Sequence, residues 1–351
     1  MLAVVAAAAL AVAATIVPGC VTVNPYYEQS KAHHQPGGFQ NIDPTAVPRP
    51  FSDFLRWRRE RIGLEIAPPK MDLSAIVPDL GYITRNRSEF AVTWIGHATA
   101  LVQIGGLNVL TDPIFSERAS PVQWLGPKRW QPPGVLLREL PHIDVVVISH
   151  NHYDHLDADS VKALNAQAGG PPLFVVPLGV ERWLASEGIT NAKALDWWDS
   201  IEFRGAHVHL VPVQHWSARG FGDRMQTLWG GYVIDGGGKR AFFAGDTGYS
   251  PVIFRQIGER LGPIDLALIP IGGYEPRWFM SKMHVNPEEA VQIALDLKAR
   301  RSLGIHWGTF QLTDEPLDQA VTDLDAALRR HGLTERQFFV LRHGETRRFI
   351  D

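Results

Sequence analysis

The sequence is poor in cysteine, with Cys20 the only one among 351 residues. No intrachain disulfide can form, so the fold has to be stabilised by its hydrophobic core or by bound metal. The chain also lacks a strong charge of either sign: its formal net charge is −3, and it has no long run of lysine or arginine. Without a broad basic surface, we expect no nucleic-acid partner.

Apolar residues are plentiful by contrast. They make up 45% of the chain and charged residues 20%, a balance typical of a soluble globular enzyme with a large buried core. The length could hold two average domains, but α/β sandwiches of more than about 200 residues are common as one domain. The sequence has no internal repeat of a fixed short period. We therefore expect one catalytic domain, over residues 51–351.

The N-terminus is an apolar stretch. Residues 1–17 are interrupted only by Thr15, as in the hydrophobic part of a secretory signal. Cys20 follows Pro18 and Gly19, and an apolar run that ends in a small residue and a cysteine resembles a bacterial lipoprotein signal. We therefore interpret residues 1–20 as a signal peptide. Cys20 would be lipidated and would attach the protein to a membrane of the bacterial cell envelope, in the periplasm or at the outer membrane. A transmembrane anchor is the alternative, although the run is short for a bilayer span.

Residues 21–50 contain several prolines and glycines and follow neither a helical nor a strand period. They are predicted to form a tether between the anchor and the catalytic domain. His33 and His34 lie in this tether and are expected to be a solvated pair. His343, which has no partner nearby in the sequence, is also expected to be solvated.

From Phe90 onward, strand patterns alternate with helix patterns. Strands at 90–95 and 100–104 precede a hairpin turn at Gly105 and Gly106, and a buried strand at 143–149 runs directly into a cluster of histidines. Further strands are predicted at 107–110, 173–176, 207–213, 231–234, 240–244, 265–271 and 302–306, and helices at 158–166, at 180–187 and after the N-cap Asn286. This alternation indicates an α/β (α+β) fold class.

Seven possible metal ligands follow the ends of predicted strands: His150, His152, Asp154, His155, His215, Asp246 and His306. Zinc prefers imidazole nitrogen and carboxylate oxygen, and a catalytic zinc site leaves a position open for water. Histidine and aspartate placed repeatedly where an apolar strand stops indicate a metal site at the rim of a β-sandwich. Core histidines would be scattered along the chain instead.

These ligands, in the order His-x-His-x-Asp-His followed by His, Asp and His, resemble the metallo-β-lactamase fold superfamily. Five motifs are similar, more narrowly, to the N-acylphosphatidylethanolamine-hydrolysing phospholipase D family: Thr-Trp-Ile-Gly-His-Ala-Thr at 93–99, Gly-Pro-Lys-Arg at 126–129, Ala-Gly-Asp-Thr-Gly-Tyr at 244–249, Tyr-Glu-Pro-Arg-Trp-Phe-Met at 274–280 and His-Trp-Gly-Thr-Phe at 306–310. The resemblance extends from about Phe51 to the C-terminus. It implies an αββα sandwich, in which two mixed β-sheets are flanked by helices.

The resemblance also implies a centre of two zinc ions. One would be held by His150, His152 and His215, the other by Asp154, His155 and His306, and Asp246 would bridge them. Two adjacent zinc ions lower the pKa of a shared water toward neutrality and stabilise the charge that develops at an attacked phosphorus or carbonyl. Asp154 and Asp246 are then expected to act as catalytic residues by orienting the water.

Three further residues have alternative interpretations. Asp112 either orients a ligating histidine, as carboxylates beside zinc sites do, or caps the turn before Pro113. His284 either contacts the substrate, as the resemblance implies, or is an ordinary loop residue before a helix. His97 belongs to one of the motifs, but a histidine in a tight turn can simply hydrogen-bond the backbone, so we do not count it among the ligands.

The family implies a phospholipase D reaction that releases an N-acylethanolamine and leaves phosphatidic acid. The same fold hosts many substrates on one ligand set, so a lactone, an amide or another phosphodiester is the alternative substrate. A structural zinc site in a non-catalytic lipoprotein is less favoured, because an open centre bridged by a carboxylate makes a poor structural site. Iron in an oxidoreductase would fit the same ligands. The expected partners are a phospholipid or other small-molecule substrate and a membrane surface.

Overall fold

The structure, a computed structural model, describes residues 23–220 and 222–350. The predicted signal peptide at residues 1–20, with Cys20 as its lipidation site, lies outside these ranges. Across the part of the chain that is described, no helix is both long and apolar enough to cross a lipid bilayer.

The strands and helices are short and alternate for most of the chain. In chain order the strands are β1 (His34–Gln35), β2 (Gly38–Phe39), β3 (Ala91–Gly96), β4 (Thr99–Ile104), β5 (Leu107–Thr111), β6 (Val145–Val147), β7 (Leu173–Pro177), β8 (Ala192–Leu195), β9 (Ser200–Phe203), β10 (Ala206–Val211), β11 (Gly231–Gly236), β12 (Lys239–Phe243), β13 (Leu266–Pro270), β14 (Ser302–Ile305), β15 (Phe338–Phe339) and β16 (Thr346–Arg348). The helices are α1 (Phe51–Glu60), α2 (Leu80–Arg85), α3 (Ala158–Asn165), α4 (Val180–Ser186), α5 (Pro251–Leu261), α6 (Arg277–Met280), α7 (Pro287–Asp296) and α8 (Gln319–His331), with a 3₁₀ turn at Leu137–Glu139.

Fourteen of these strands form two sheets of seven. The first sheet has the order β16-β3-β4-β5-β6-β7-β8, and the second has the order β15-β14-β13-β12-β11-β10-β9. Each sheet has three antiparallel pairs at one side and three parallel pairs at the other. The parallel strands include β5, β6, β12 and β14, and residues at their carboxyl ends form the candidate site described below.

The core is divided by the first sheet. Because side chains alternate along a strand, Trp94 and Val147 belong to the core between the two sheets, whereas their neighbours Ile95 and Val146 pack with α3 and α4. On the second sheet, helices α5, α7 and α8 add buried residues to the same core as Trp94 and Val147. The layers are helix, sheet, sheet and helix, so the predicted αββα sandwich is confirmed.

Local signals in the sequence account for several boundaries. Gly105 and Gly106 form the predicted hairpin turn between β4 and β5 with φ angles of 57° and 82°, a region that favours glycine. A Cβ at Gly105 would lie 2.9 Å from the backbone of Gly236, so the turn also allows two hairpins to approach closely. At the start of α7, Asn286 and Glu289 form a reciprocal capping box, as the predicted N-cap requires.

The N-terminal segment, residues 23–50, differs from the predicted tether. It contains the β1–β2 hairpin and is hydrogen-bonded to the catalytic domain. The expectation that His33 and His34 are solvated is also wrong, since both hydrogen-bond the carboxylate of Asp196, at 2.7 and 2.9 Å, and His34 is only 3% exposed. The sequence could not reveal this arrangement, because the partner is more than 160 residues away.

Candidate metal centre

The seven predicted ligands meet at the rim between the two sheets. His150, His152, Asp154 and His155 lie in the loop between β6 and α3, on the first sheet. His215 follows β10, Asp246 follows β12 and His306 follows β14, all on the second sheet. All are buried except His152 and Asp154, which are partly exposed.

Three histidines form one group. His152 Nδ1 lies 2.8 Å from His150 Nε2 and 3.4 Å from His215 Nε2. Neutral imidazoles bind metal ions, and burial is the main cause that lowers the pKa of His150 well below its ordinary value, that of His152 to about 4 and that of His215 to about 3. These three nitrogens could hold one cation.

Asp154, His155 and His306 form a second group, and Asp246 lies between the two. His155 Nε2 is 3.2 Å from an oxygen of each carboxylate, Asp154 and Asp246. Asp246 Oδ1 is 3.2 Å from His306 Nε2, while its Oδ2 is 3.9 Å from His215 Nε2 in the first group. Asp246 therefore reaches both groups, as a bridging ligand would.

The polar atoms of this centre are incompletely satisfied by one another. His155 Nε2, His306 Nε2 and Asp246 Oδ1 are buried and have no hydrogen-bond partner. The short distances among these atoms are therefore not hydrogen bonds. Leaving buried polar atoms unpaired costs free energy, so their presence needs an explanation. Nitrogen and oxygen atoms that converge without pairing fit a site for metal cations.

The electrostatics of the second group lead to the same conclusion. Burial lowers the pKa of His155, but the carboxylates of Asp246, Asp154 and Asp112 outweigh it and hold that pKa well above its ordinary value. Burial is likewise overcome at His306, whose pKa is raised to about 9 chiefly by Asp246. The carboxylates thus attract positive charge into a buried place, and a metal ion would supply that charge.

Asp112, at the end of β5, holds two of the candidate ligands. It is fully buried and accepts hydrogen bonds from His155 Nδ1 at 2.6 Å, Ser149 N at 2.7 Å and Ser149 Oγ at 2.6 Å. Ser149 Oγ lies 2.9 Å from His150 Nδ1. With both Nδ1 atoms engaged, the Nε2 atoms of His155 and His150 are left for a metal, which is the arrangement an orienting role requires.

His97, which was not counted among the ligands from the sequence, lies next to the centre. Its Nε2 is 3.0 Å from Asp154 Oδ2, and the side chain is buried. A β-bulge between Trp94 and Gly96 places it there, and its φ is 54°. His306, whose N–H donates to His97 O at 2.9 Å, also has a positive φ of 61°. Strained residues of this kind cluster at functional sites, but the bulge itself has no sequence signal.

A buried polar network supports this strained turn. Thr309 Oγ1 accepts a hydrogen bond from His97 N at 2.7 Å and lies 2.9 Å from His343 Nε2. Gln131 Nε2 lies 2.6 Å from His343 Nδ1. His343 is therefore buried and hydrogen-bonded on both sides rather than solvated, which corrects the expectation from sequence.

A cavity of about 580 Å³ opens over the centre. His152, Asp154, Asp246, His284 and His306 line one part of it. Much of the remaining wall is apolar and comes from Phe51, Phe54, Trp57, Phe279, Met280 and Leu312. His284 Nδ1 is 3.7 Å from Asp246 Oδ2, so a substrate that reaches the centre would pass beside this residue.

A family model described as a β-lactamase superfamily domain matches residues 107–307, which include all seven candidate ligands. This match covers more than half of the chain. The chain belongs to the metallo-β-lactamase superfamily. As a member, it is a metal-dependent hydrolase of the β-lactamase fold, and its candidate metal ligands lie where the two sheets meet.

A narrower family is also shown. The chain is 42% identical over 277 residues to N-acyl-phosphatidylethanolamine-hydrolysing phospholipase D 1 of Caenorhabditis elegans, a match that covers 74% of this chain and 76% of the relative. The prediction from the five sequence motifs is thereby confirmed: this superfamily member belongs to the N-acylphosphatidylethanolamine-hydrolysing phospholipase D-like family.

Two solved structures share the fold. The metallo hydrolase Igni18 from Ignicoccus hospitalis superimposes with a TM-score of 0.56 at 22% identity, covering 75% of this chain and all of its own. CmlA from Streptomyces venezuelae, a diiron β-hydroxylase, gives a TM-score of 0.57 at 18% identity, covering 75% of this chain and 54% of its own. Since CmlA is a diiron protein, the shared fold by itself does not specify the metal.

Proposed function

We propose that this protein is a dinuclear zinc phospholipase D that hydrolyses N-acylphosphatidylethanolamine-like lipids to N-acylethanolamine and phosphatidic acid. The observation that supports the proposal most is the composition of the cavity, where the metal-ligand cluster adjoins walls made of aromatic and aliphatic side chains. Such a cavity suits a substrate whose phosphodiester lies close to acyl chains. The relative from Caenorhabditis elegans, by its name, hydrolyses this class of lipid.

In this proposal His150, His152 and His215 would hold one zinc ion, and Asp154, His155 and His306 would hold the other, with Asp246 within reach of both groups. Bound zinc lowers the pKa of water toward neutrality and supplies positive charge for an attacked phosphorus. Two divalent ions would outweigh the charges of Asp154 and Asp246, so the loaded centre would attract an anionic phosphodiester.

The side chains then have separate tasks. Asp154 and Asp246 present carboxylate oxygens at the floor of the cavity, where they accept a hydrogen bond from the attacking water and orient it. His284, beside them, contacts the substrate headgroup. Water attacks phosphorus, the bond from phosphorus to the ethanolamine oxygen breaks, and the incoming oxygen stays on phosphatidic acid. The leaving oxygen takes up a proton released by the attacking water, which gives the N-acylethanolamine.

We further propose that the substrate is taken from a membrane surface. Helix α1 supplies Phe54 and Trp57 to the cavity, and beside them Phe51 is 67% exposed, Leu55 53% and Ile62 81%. Exposed apolar side chains in one short segment mark an interaction surface, and insertion into lipid would bury them. Attachment through Cys20 in the bacterial cell envelope remains part of this proposal.

Hydrolysis in ¹⁸O-labelled water tests the reaction. Zinc-loaded protein is mixed with vesicles containing N-acylphosphatidylethanolamine, and the products are analysed by mass spectrometry. We expect phosphatidic acid to carry the ¹⁸O label and N-acylethanolamine to carry none, because the attack is at phosphorus. A panel with a lactone, an amide and bis-p-nitrophenyl phosphate is run in parallel, and faster turnover of one of these than of the lipid would overturn the substrate assignment.

A pair of variants links the reaction to the centre. Asp246→Asn is expected to abolish lipid hydrolysis, because a neutral amide is a poor bridging ligand. The control is Asp235→Asn, at an aspartate on β11 that pairs with Arg240 and does not line the cavity. Equal loss of activity in both variants would show that the effect is not specific to the metal centre.

A further inference from the structure

Asn41, in the N-terminal segment, contacts the backbone of a candidate metal ligand. It is 2% exposed, although it lies 174 residues from that ligand in the sequence. Its Nδ2 donates to His215 O at 2.8 Å, and its Oδ1 accepts from His215 N at 3.1 Å. Both backbone polar groups of His215 are therefore bound by one side chain.

The remaining hydrogen-bonding capacity of Asn41 is also used. Nδ2 donates to Ala46 O at 2.7 Å, and Oδ1 accepts from Trp229 Nε1 at 3.2 Å. An amide has two donors and one oxygen that accepts twice, so all four positions are occupied. Neither an aspartate nor an aliphatic residue reproduces this pattern.

The contact matters because it holds the backbone of His215, whereas the other hydrogen bond of this residue holds its ring. Its Nδ1 lies 3.0 Å from Met283 O, which leaves Nε2 to face His152 Nδ1 and Asp246. The carbonyl of Met283 thus fixes the orientation of the His215 ring, while Asn41 fixes the position of the His215 backbone. Without Asn41, the buried N–H and C=O of His215 lose their partner, and the loop after β10 has to shift to satisfy them.

The N-terminal segment is itself held in place. Asp196 accepts hydrogen bonds from Lys31 at 2.8 Å, His33 at 2.7 Å and His34 at 2.9 Å, and the His33 ring stacks on Trp197 with centroids 4.4 Å apart. The ammonium of Lys31 and the ring of His34 share one Asp196 oxygen. This cluster therefore fastens the segment to the domain.

We infer that Asn41 is a positioning residue for the metal centre, and that residues 23–50 are a functional part of the catalytic unit. The inference rests on the proposed role of His215 as a ligand. Asn41 acts through His215 and touches neither metal nor substrate.

The test is stepwise titration of the metal-free protein with Zn²⁺ against a chelating indicator, with folding monitored by circular dichroism. Wild type is expected to bind two ions, and His215→Ala identifies the step that depends on that ligand. Asn41→Ala is expected to weaken the same step 10- to 100-fold, the usual loss when a group that orients a ligand is removed, and to leave the other step within about threefold. The control is Asn24→Ala, at a buried asparagine of the same segment that bonds Gln35 O and Gly38 O and contacts no ligand.

The outcomes separate the two claims. If wild type binds fewer than two ions, the proposed centre fails. If wild type binds two and folded Asn41→Ala binds both as tightly, the positioning role fails. Equal weakening by Asn24→Ala would also overturn it, since the effect would then come from general loosening of the segment.

A measurement on wild type covers the case in which Asn41→Ala does not fold. Coupling between two sites is reciprocal, so metal binding at His215 should stabilise the segment that contacts it. Zinc loading is expected to slow amide hydrogen exchange at least tenfold in residues 39–46, while exchange in α8, on the outer side of the second sheet, stays unchanged. Unchanged exchange in residues 39–46 would overturn the inference.

Discussion

Replacing Asp112 by asparagine perturbs the metal centre without removing a ligand. The carboxylate accepts three hydrogen bonds, from His155 Nδ1 and from the N–H and hydroxyl of Ser149. An asparagine of the same size has one oxygen and one NH₂ group. If the NH₂ faces His155, the Nδ1–H of that histidine meets a donor, and the ring avoids the clash by moving its proton to Nε2, the atom that would bind metal.

The opposite orientation of the amide also has a cost. The NH₂ group would then face Ser149 N, so a buried donor again meets a donor, at about 1–3 kcal/mol. The first orientation removes the acceptor of two of the three hydrogen bonds, those made to Oδ2, and the second removes the acceptor of the one made to Oδ1. Because the metal-competent form of His155 depends on this contact, we expect metal affinity to fall 10- to 100-fold.

The assay is competition for Zn²⁺ between the protein and a chelating indicator. Asp144→Asn is the matched control, because Asp144 is buried and accepts from Asn108 N at 2.9 Å and Arg204 at 2.8 Å, away from the centre. Control and wild type should agree within about threefold. If Asp112→Asn also binds both ions within threefold of wild type, the orienting role of Asp112 is refuted.

Three further predictions concern stability and access. Tyr232→Phe should lower the free energy of unfolding by about 1–2 kcal/mol in urea titration, since the buried hydroxyl lies 2.8 Å from Ile148 O and 3.0 Å from Val175 O in the opposite sheet; no change would show that water replaces the bond. Burial raises the pKa of Asp196, but hydrogen bonds from His33 and Lys31 outweigh it and hold that pKa well below its usual value. In the unfolded chain an aspartate has a pKa of about 3.9, so the Asp196 carboxylate stabilises the fold above that pH and loses this effect as pH falls further. The difference in free energy of unfolding between metal-free wild type and Asp196→Asn should therefore shrink below about pH 4; a constant difference contradicts this. The double variant Leu55→Ser, Ile62→Ser, at two exposed residues that do not line the cavity, should slow hydrolysis of vesicle lipid severalfold and leave hydrolysis of bis-p-nitrophenyl phosphate unchanged; equal loss on both substrates would contradict a membrane-facing role.

The buried centre of the fold could be predicted from the sequence because its strands are apolar runs between turn residues. The predicted strand at 143–149 contains β6, and the predicted turn at Gly105 and Gly106 joins β4 to β5. Edge strands could not be predicted in the same way. β9 and β16 are four and three residues long and partly exposed, so neither a long apolar run nor full burial marks them.

The site could be predicted where ligands follow strand ends, since chain direction and burial fix such positions. Asp246 and His306 are examples. His97 and Asn41 depend on the fold instead: the first is placed by a β-bulge, and the second reaches His215 through a segment with no regular period. Contacts across more than a hundred residues leave no local pattern, which is why the N-terminal segment was predicted to be a tether.

The metal content of the purified protein tests the two-ion centre most directly. The protein is stripped with a chelator, reloaded with excess Zn²⁺, separated from free metal by gel filtration and measured by inductively coupled plasma mass spectrometry. We predict two zinc ions per chain, because His150, His152 and His215 form one group of ligands and Asp154, His155 and His306 another, with Asp246 reaching both. One ion or none per folded chain would contradict the dinuclear centre and the hydrolytic mechanism that depends on it.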